Sequence, residues 1–382
     1  MNNISLARKV FLALKYRKTA FNIIWNSTIG KGRAGNYPEN IGIEIISKCN
    51  LACSMCHNAD LRVEHNEDSR VSLDLIKKLL PELKKYKPIV SLSGGEPMLH
   101  SRLFDMVSLL SKNNILTSVS TNGTLIGHRI DEILDSGLGF ISVSLDHFKP
   151  ELHDQGRGKQ GTFAKVVEGV KLLSKRRKKT PFNIKINTVI REDNYDELPQ
   201  IYSFIETLGV DEWSLAHLSF LTPKMAQDVE EYKCANGFSS PWYAFPLGRD
   251  ALFSDDQIEK LVKGVQKLRD MSKIYKTRLS LPTLEEKDYY LYYKGKYPTC
   301  KSSCSFPTRG VLIHSGAKVS TCVMDLGDVY KDNSISSIWN SARANKFRSL
   351  YREQKIFPHC LRCNSLNYDF SNHEVVVERD IA

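Results

Sequence analysis

The chain has no run of eighteen apolar residues, so nothing in it reads as a membrane span. Its N-terminus lacks a continuous apolar core, which argues against a signal peptide. It has no even complement of cysteines: there are nine, and at least seven stand at ligand-like spacings. That pattern argues against a secreted disulfide framework and for a reducing, cytoplasmic setting. No internal repeat or low-complexity tract is present. A broad basic face with interleaved aromatics is missing, as is any nucleic-acid-binding module, so no nucleic-acid partner is expected. Acidic residues are absent before Glu39.

What is present is an ordinary globular composition, with 25% charged and 41% apolar residues in a chain of 382. That length holds one large domain with an appendage, or two domains. Part of the net charge of +11 is local, carried before Glu39 by Arg8, Lys9, Lys15, Arg17, Lys18, Lys31 and Arg33. Leu6, Val10, Leu14, Phe21 and Ile24 share one helical face there, interrupted by Arg17. Such a helix can touch an anionic membrane surface peripherally or hold an acidic substrate; the plainer alternative is a helix packed on the main domain with its basic side in water. The run Lys175–Lys179 suits a solvated helix end, where cations complement the helix dipole.

From Ile41 onward, short apolar runs alternate with helical periodicity. Strands are expected at Ile41–Ser47, Pro88–Ser93, Ile115–Thr121, Phe140–Asp146, Phe182–Ile190 and Glu212–Leu218. Helices are expected at Ser72–Tyr86, Ser101–Asn113, Ile130–Leu134, Thr162–Lys179, Asp196–Leu208 and Ser254–Tyr275. This alternation predicts parallel strands joined by crossovers, hence α/β class and a partial (β/α)6 TIM-like barrel with chemistry at the carboxyl ends of its strands. Residues 219–252 read as an irregular loop over the barrel mouth. A composition shift toward Cys, Ser and Gly marks a boundary near 295. The expected division is a basic N-terminal extension (1–40), the barrel (41–295), a small cysteine-rich domain (296–366) and a tail (367–382).

The chemistry begins with Cys49, Cys53 and Cys56 in a C-x3-C-x2-C run just past the first strand. Three thiolates are one fewer than a [4Fe–4S] cube uses in a purely structural site, so one iron is left for a non-protein ligand. A zinc site or three buried thiols is the alternative. Ser93-Gly94-Gly95-Glu96-Pro97 follows the second strand; its glycines let backbone approach a ligand, and Glu96 brings an acceptor. Ser120-Thr121-Asn122-Gly123 ends the third strand and Val143-Ser144-Leu145-Asp146 the fourth. A second set comprises Cys304, Cys322, Cys360 and Cys363, with Cys300 nearby as a substitute ligand or free thiol. A hairpin over 311–321, turning at Ser315-Gly316, would deliver Cys322 beside Cys304, and Cys360-Leu361-Arg362-Cys363 would close the set after a helix containing Ile338, Trp339 and Phe347. Four cysteines suit an iron–sulfur cube or a zinc-ribbon-like site.

These segments, in this order, resemble the radical S-adenosylmethionine (radical SAM) enzymes of the SPASM/Twitch branch, over roughly residues 41–363. The resemblance implies that the first three cysteines hold a [4Fe–4S] cluster whose open iron takes SAM, and that SAM is cleaved to a 5′-deoxyadenosyl radical. It implies that Gly94, Gly95 and Glu96 hold the methionine amino group of SAM. Thr121, Asn122, Ser144 and Asp146 would reach its ribose or carboxylate, Arg157 would pair with the carboxylate, and Asn187 would lie near the adenosyl group. Met55 stands where many members carry an aromatic that packs on adenine, and the G-x-I-x-G segment of the fifth strand is absent. The second cysteine set resembles a Twitch domain with one auxiliary [4Fe–4S] cluster, because no cysteine follows Cys363. Asp325, three residues past Cys322, resembles a proton acceptor of peptide-modifying relatives; a surface acid is the alternative. The implied partner is a flavodoxin- or ferredoxin-type electron donor. The short stretch before Ile41 leaves little chain for a leader-peptide-binding domain. It favours an oxidoreductase-type enzyme that oxidises or rearranges a sugar-like or small polar metabolite, with peptide or protein maturation, including thioether or C–C crosslinks, as the alternative.

Overall fold

The computed structural model describes residues 15–16, 18–19, 34–56, 69–177, 182–238, 245–282, 284, 286, 288–296, 304–322, 324–332, 334–354, 356–360 and 362–364. Most of the basic N-terminal segment, Cys300 and the C-terminal tail lie outside these residues.

Strand β1 (Asn40–Ile46) shows how the barrel is assembled. Ile41, Ile43 and Ile45 are fully buried on one face, whereas Gly42 and Glu44 lie on the other. Strands β2 (Ile89–Gly94), β3 (Thr117–Thr121), β4 (Phe140–Ser144), β5 (Asn183–Ile190) and β6 (Glu212–His217) repeat this pattern. Their apolar faces, through Leu92, Val119, Ile141, Ile186 and Trp213, join one core. The connecting helices α1 (Leu73–Tyr86), α2 (Leu103–Lys112), α3 (Ile130–Asp135), α4 (Pro150–Arg157), α5 (Thr162–Arg176) and α6 (Leu198–Glu206) cover that face. Helix α1 forms because Ser72 caps it, its hydroxyl accepting from Leu75 N, and because Leu75, Ile76, Leu79 and Leu83 make one apolar stripe. On α6, Tyr202 stacks on Trp213 of β6 at a centroid distance of 5.0 Å. The other sheet face keeps serines and asparagines and forms a polar lumen.

Two elements extend the expected six strands. Past the small pair β7 (Phe220–Leu221) and β8 (Phe245–Pro246), strand β9 (Arg278–Ser280) adds to β6 in parallel. At the opposite edge β10 (Gly310–Ile313) pairs in parallel with β1, and β11 (Lys318–Thr321) and β12 (Met324–Asp328) follow antiparallel. The sheet order is β12-β11-β10-β1-β2-β3-β4-β5-β6-β9, an open partial barrel. The C-terminal cysteine region therefore continues the barrel's own sheet.

Two expectations are corrected. Residues 223–236 form helix α7 (Pro223–Asn236) rather than irregular chain: Thr222 caps it, Pro223 occupies its first turn and Gly237 closes it at φ 68°. The Pro and Gly act as start and stop signals. The helix expected around Trp339 and Phe347 is two. After α8 (Asp255–Met271), α9 (Asp288–Tyr293), α10 (Phe306–Arg309) and α11 (Val329–Asp332) come α12 (Ile335–Trp339) and α13 (Ala342–Gln354). The break falls at Ser341, whose hydroxyl accepts from Ala344 N and caps the new helix. The hairpin turn falls at Ser315-Gly316 as expected, between His314 and Ala317, with Ala317 at a left-handed φ of 65°. Of the N-terminal segment, Lys15 donates to Ser111 and Thr19 to the Lys87 carbonyl, so this part packs on the ends of α1 and α2. Among the described residues no helix is long and apolar enough to cross a membrane.

Candidate cluster and cofactor site

The loop carrying Cys49, Cys53 and Cys56 leaves β1 at its carboxyl end and is clamped from two sides. On one side the segment after β2 meets it by backbone: Gly95 N donates to Ile46 O and Glu96 N to Lys48 O, at 2.8 and 2.9 Å. A Cβ at Gly94 would stand 2.2 Å from Ile46 O, and one at Gly95 2.2 Å from Lys48 O. The close approach that the two glycines permit is thus to the cysteine loop. On the other side Ser54 N donates to Gly156 O at 3.0 Å, and a Cβ at Gly158 would stand 2.2 Å from Ala52 O.

Glu96 is fully buried beneath this loop. Its carboxylate accepts from Thr121 Oγ1 (2.7 Å), Asn122 N (2.7 Å) and Met98 N (3.0 Å). Burial pushes its pKa up, opposed by those three donors. A carboxylate has about four acceptor sites, so one remains for a further donor. The Asn122 side chain is spent on the loop: it donates to Asn50 Oδ1 (2.8 Å), points at Cys49 Sγ (3.9 Å) and accepts from Thr124.

Asp146 and Arg157 form a buried ion pair at 2.6 Å, and Asp146 also accepts from Val189 N. Burial alone would raise the Asp146 pKa, but Arg157, Arg191 and His153 together hold it below the usual value. Burial raises the Cys53 thiol and Arg157, 4.0 Å from its sulfur, opposes that rise. Ser144 faces Asn187 in register across β4 and β5, and Asn187 donates to Ser142. Met55 packs partly buried against the core, with Arg191 Nη1 3.8 Å from its sulfur. Arg191, at the end of β5, carried no spacing signal and was missed.

The second set gathers from three segments. Cys304 is bracketed by Tyr351, whose hydroxyl accepts from Cys304 N (2.9 Å) and donates to Cys304 O (2.6 Å). Cys322 turns between β11 and β12 at φ 50°. Cys360 N donates to Phe357 O and Cys363 N to Cys360 O. Burial first, and then the neighbouring thiols, push the Cys304 and Cys322 pKa values up, the former to about 11. The Cys322 thiol feels Cys304, Cys360 and Cys363 together. Every described cysteine is unbridged. Among the described residues no three His, Cys, Asp or Glu side chains already stand at metal-holding spacing. The fit is one of donor chemistry and neighbourhood: three soft ligands in one clamped loop, and four in one partly buried group.

Asp325 lies on β12, its carboxylate accepting from Gly327 N at 3.3 Å. It is the register partner of Ser320. Ser320 belongs to a chain of contacts that sequence reasoning missed: Glu44 Oε2 lies 2.9 Å from His314 Nδ1, and His314 Nε2 lies 2.8 Å from Ser320 Oγ. The available signal was Glu44 itself, a lone acid between isoleucines.

Comparison with known proteins agrees with this geometry. The profile of the radical SAM superfamily matches residues 43–205, and that of SPASM, an iron–sulfur cluster-binding domain, matches 304–364. A tungsten-containing aldehyde ferredoxin oxidoreductase cofactor-modifying protein of Pyrococcus furiosus is 26% identical over 84% of this chain and 86% of its own. An AdoMet-dependent heme synthase of Methanosarcina barkeri is 30% identical over 49% of this chain; the chain spans about half of that relative, 52%. Among solved structures, Streptococcus suis SuiB bound to S-adenosylmethionine matches with TM-score 0.60 at 15% identity, covering 85% of this chain and 70% of that one.

Proposed function

We propose, for a chain that belongs to the radical SAM superfamily and carries a SPASM-type domain, an enzyme that oxidises or rearranges a small polar metabolite with the help of one auxiliary [4Fe–4S] cluster. The observation that carries this reading is the cysteine loop held between Gly94-Gly95-Glu96 and Arg157-Gly158. When bound, the cluster and S-adenosylmethionine supply reductive cleavage to a radical that takes a hydrogen atom from the substrate.

The chain's own residues prepare the site. Cys49, Cys53 and Cys56 would hold the first cluster, and Cys304, Cys322, Cys360 and Cys363 the auxiliary one. Glu96 keeps one acceptor position for the cofactor's amino group, and Met55 offers a polarizable face for its adenine. Thr121 and Asn122 orient Glu96 and the loop. Asp146 fixes Arg157, whose positive charge beside Cys53 favours the thiolate that a cluster needs. Ser144 and Asn187 line the lumen below. Asp325 is the proton acceptor, close in the fold to the Glu44–His314–Ser320 contacts. The reading calls for a low-potential donor of flavodoxin or ferredoxin type.

The polar lumen supports a small polar substrate. Side-chain modification of a peptide is the second reading, supported by the shared fold of SuiB solved with its precursor peptide, TM-score 0.59. Two measurements test these statements. Adding SAM to the reduced protein should shift the electron paramagnetic resonance signal of the first cluster; an unmoved signal would overturn the cofactor assignment. A protease-treated host extract should still raise 5′-deoxyadenosine yield; stimulation destroyed by protease would reverse the order of substrates.

A further inference from the structure

A cavity of about 230 Å³ lies at the open edge of the barrel, apart from the Glu96 and Arg157 clamp. Its walls are the end of β6 (Ser214 to His217), the chain from Ser280 to Pro282 at the end of β9, and Asn364. Ser214 and Ser280 are register partners on adjacent parallel strands. Ser214 alternates with the buried Trp213 and Leu215, so it belongs to the lumen face.

Some lumen hydroxyls are engaged within the sheet: Ser118 donates to Ser91 at 2.9 Å, and Ser142 accepts from Asn187. Ser214 and Ser280 differ. Among the described residues neither hydroxyl has a hydrogen-bond partner. Two adjacent hydroxyls on a cavity wall offer donors and acceptors to whatever enters.

Among the described residues no charged side chain contributes to the wall. The nearby Glu212 is already paired with Lys185 and Arg278. Arg362 is fully buried, stacked over Phe220 and Tyr292 and bonded to Lys296 O. A charged ligand would lose its hydration here without gaining a counter-charge. The rest of the wall is Leu215, Ala216, Leu281 and Pro282, with the buried His217 beside them, and its apolar part suits the face of a ring.

Asn364 ties this cavity to the auxiliary region. Its amide oxygen accepts from His217 N (3.1 Å), and its nitrogen donates to His217 O (3.0 Å) and Ser219 Oγ (3.2 Å). It thus extends β6 by one imitation residue and fastens the chain just past Cys363 onto the barrel. The cavity wall and the last cysteine are neighbours in sequence. A site for a whole drug-sized ligand runs to about 300–1,000 Å³, so this one takes a single ring or side chain.

We propose that this cavity is a recognition subsite for an uncharged, hydroxyl-bearing ring of the substrate, gripped by Ser214 and Ser280 beside the C-terminal cysteine loop. The inference rests on the radical SAM reading and adds the part of the substrate held at the β6–β9 edge of the sheet.

The test uses the full-length reconstituted protein, with calorimetric titration of two neutral probes, myo-inositol and N-acetylglucosamine. Two charged counterparts, glucose 6-phosphate and glucuronate, serve as contrasts, and SAM is titrated in parallel. The neutral probes should bind and the charged ones should not. Ser214→Ala and Ser280→Ala should each weaken the neutral probe about threefold to tenfold, and Ser214→Leu, which fills the cavity, should abolish its binding. Should Ser214→Leu fail to fold, the double alanine variant decides. Absence of binding by either neutral probe, equal binding by charged probes, or unchanged affinity in the double variant would overturn the subsite. If SAM binds while the neutral probes do not, the subsite alone fails; if SAM does not bind either, the proposed function fails with it.

Discussion

The two cysteine regions are built in opposite ways. The first draws three thiols from eight consecutive residues and holds them by backbone contacts to two neighbouring segments. Its surroundings are polar and ionic: Glu96, Asn122, Asp146 and Arg157. The second draws four thiols from three segments spread between Cys304 and Cys363 and sets them among Tyr232, Tyr351, Phe347 and Phe357. On the proposed reading, the three-thiol loop in its polar clamp leaves room for an exchangeable ligand, whereas the four thiols beside these aromatic rings form a closed set. Openness belongs to reactivity and closure to electron storage or architecture.

The comparison breaks most completely at the first loop. Cys53→Ala should abolish 5′-deoxyadenosine formation while leaving the auxiliary iron in place, so iron falls from about eight to about four per chain. Iron analysis with a product assay reads both. The converse change, Cys322→Ala, should remove about four irons. It should also lower thermal stability, because the β11–β12 turn and the Cys360 segment lose their common anchor; calorimetry reads that loss. Retained stability and iron would mean that the second set is not a closed site.

Asp146→Asn sharpens the contrast, since it leaves the Arg157 charge buried without its partner. The expected cost is about 3–5 kcal/mol, read by chemical denaturation. The pH dependence has a definite sign. The folded Asp146 pKa lies below the ordinary value, so its stabilisation is present above the unfolded pKa and is lost as pH falls through the folded one. The variant should lack that acid-side loss. The smallest structural effect is expected from Asp325→Asn, within about 0.5 kcal/mol, because its side chain makes one bond to Gly327 N. Substrate turnover should nonetheless fall about 10²–10⁴-fold, as for a lost general base. Full turnover would remove Asp325 from the mechanism and turn attention to His314.

The contrast also explains what could be read from sequence. Strands β1 to β6 were legible because each is a short apolar run between helices with a clear stripe. The clamp was legible in outline, since Gly94, Gly95 and Glu96 stand one crossover after the cysteines. Its geometry was not: that the glycines press on the cysteine loop, and that Asp146 takes Arg157, depends on which strand ends meet in space. Helix α7 was hidden because only Met225, Val229 and Tyr232 of it are buried, leaving too faint a stripe. Strand β9, three residues long, has no periodicity to detect. The parallel joining of β10 to β1 links residues some 270 positions apart, which no local pattern encodes.

The most direct test of the account is anaerobic reconstitution, followed by iron and sulfide counting and an assay for 5′-deoxyadenosine in the presence of dithionite and SAM. About eight irons per chain with 5′-deoxyadenosine formed is the predicted result. A chain that takes up no iron and forms no 5′-deoxyadenosine would contradict it.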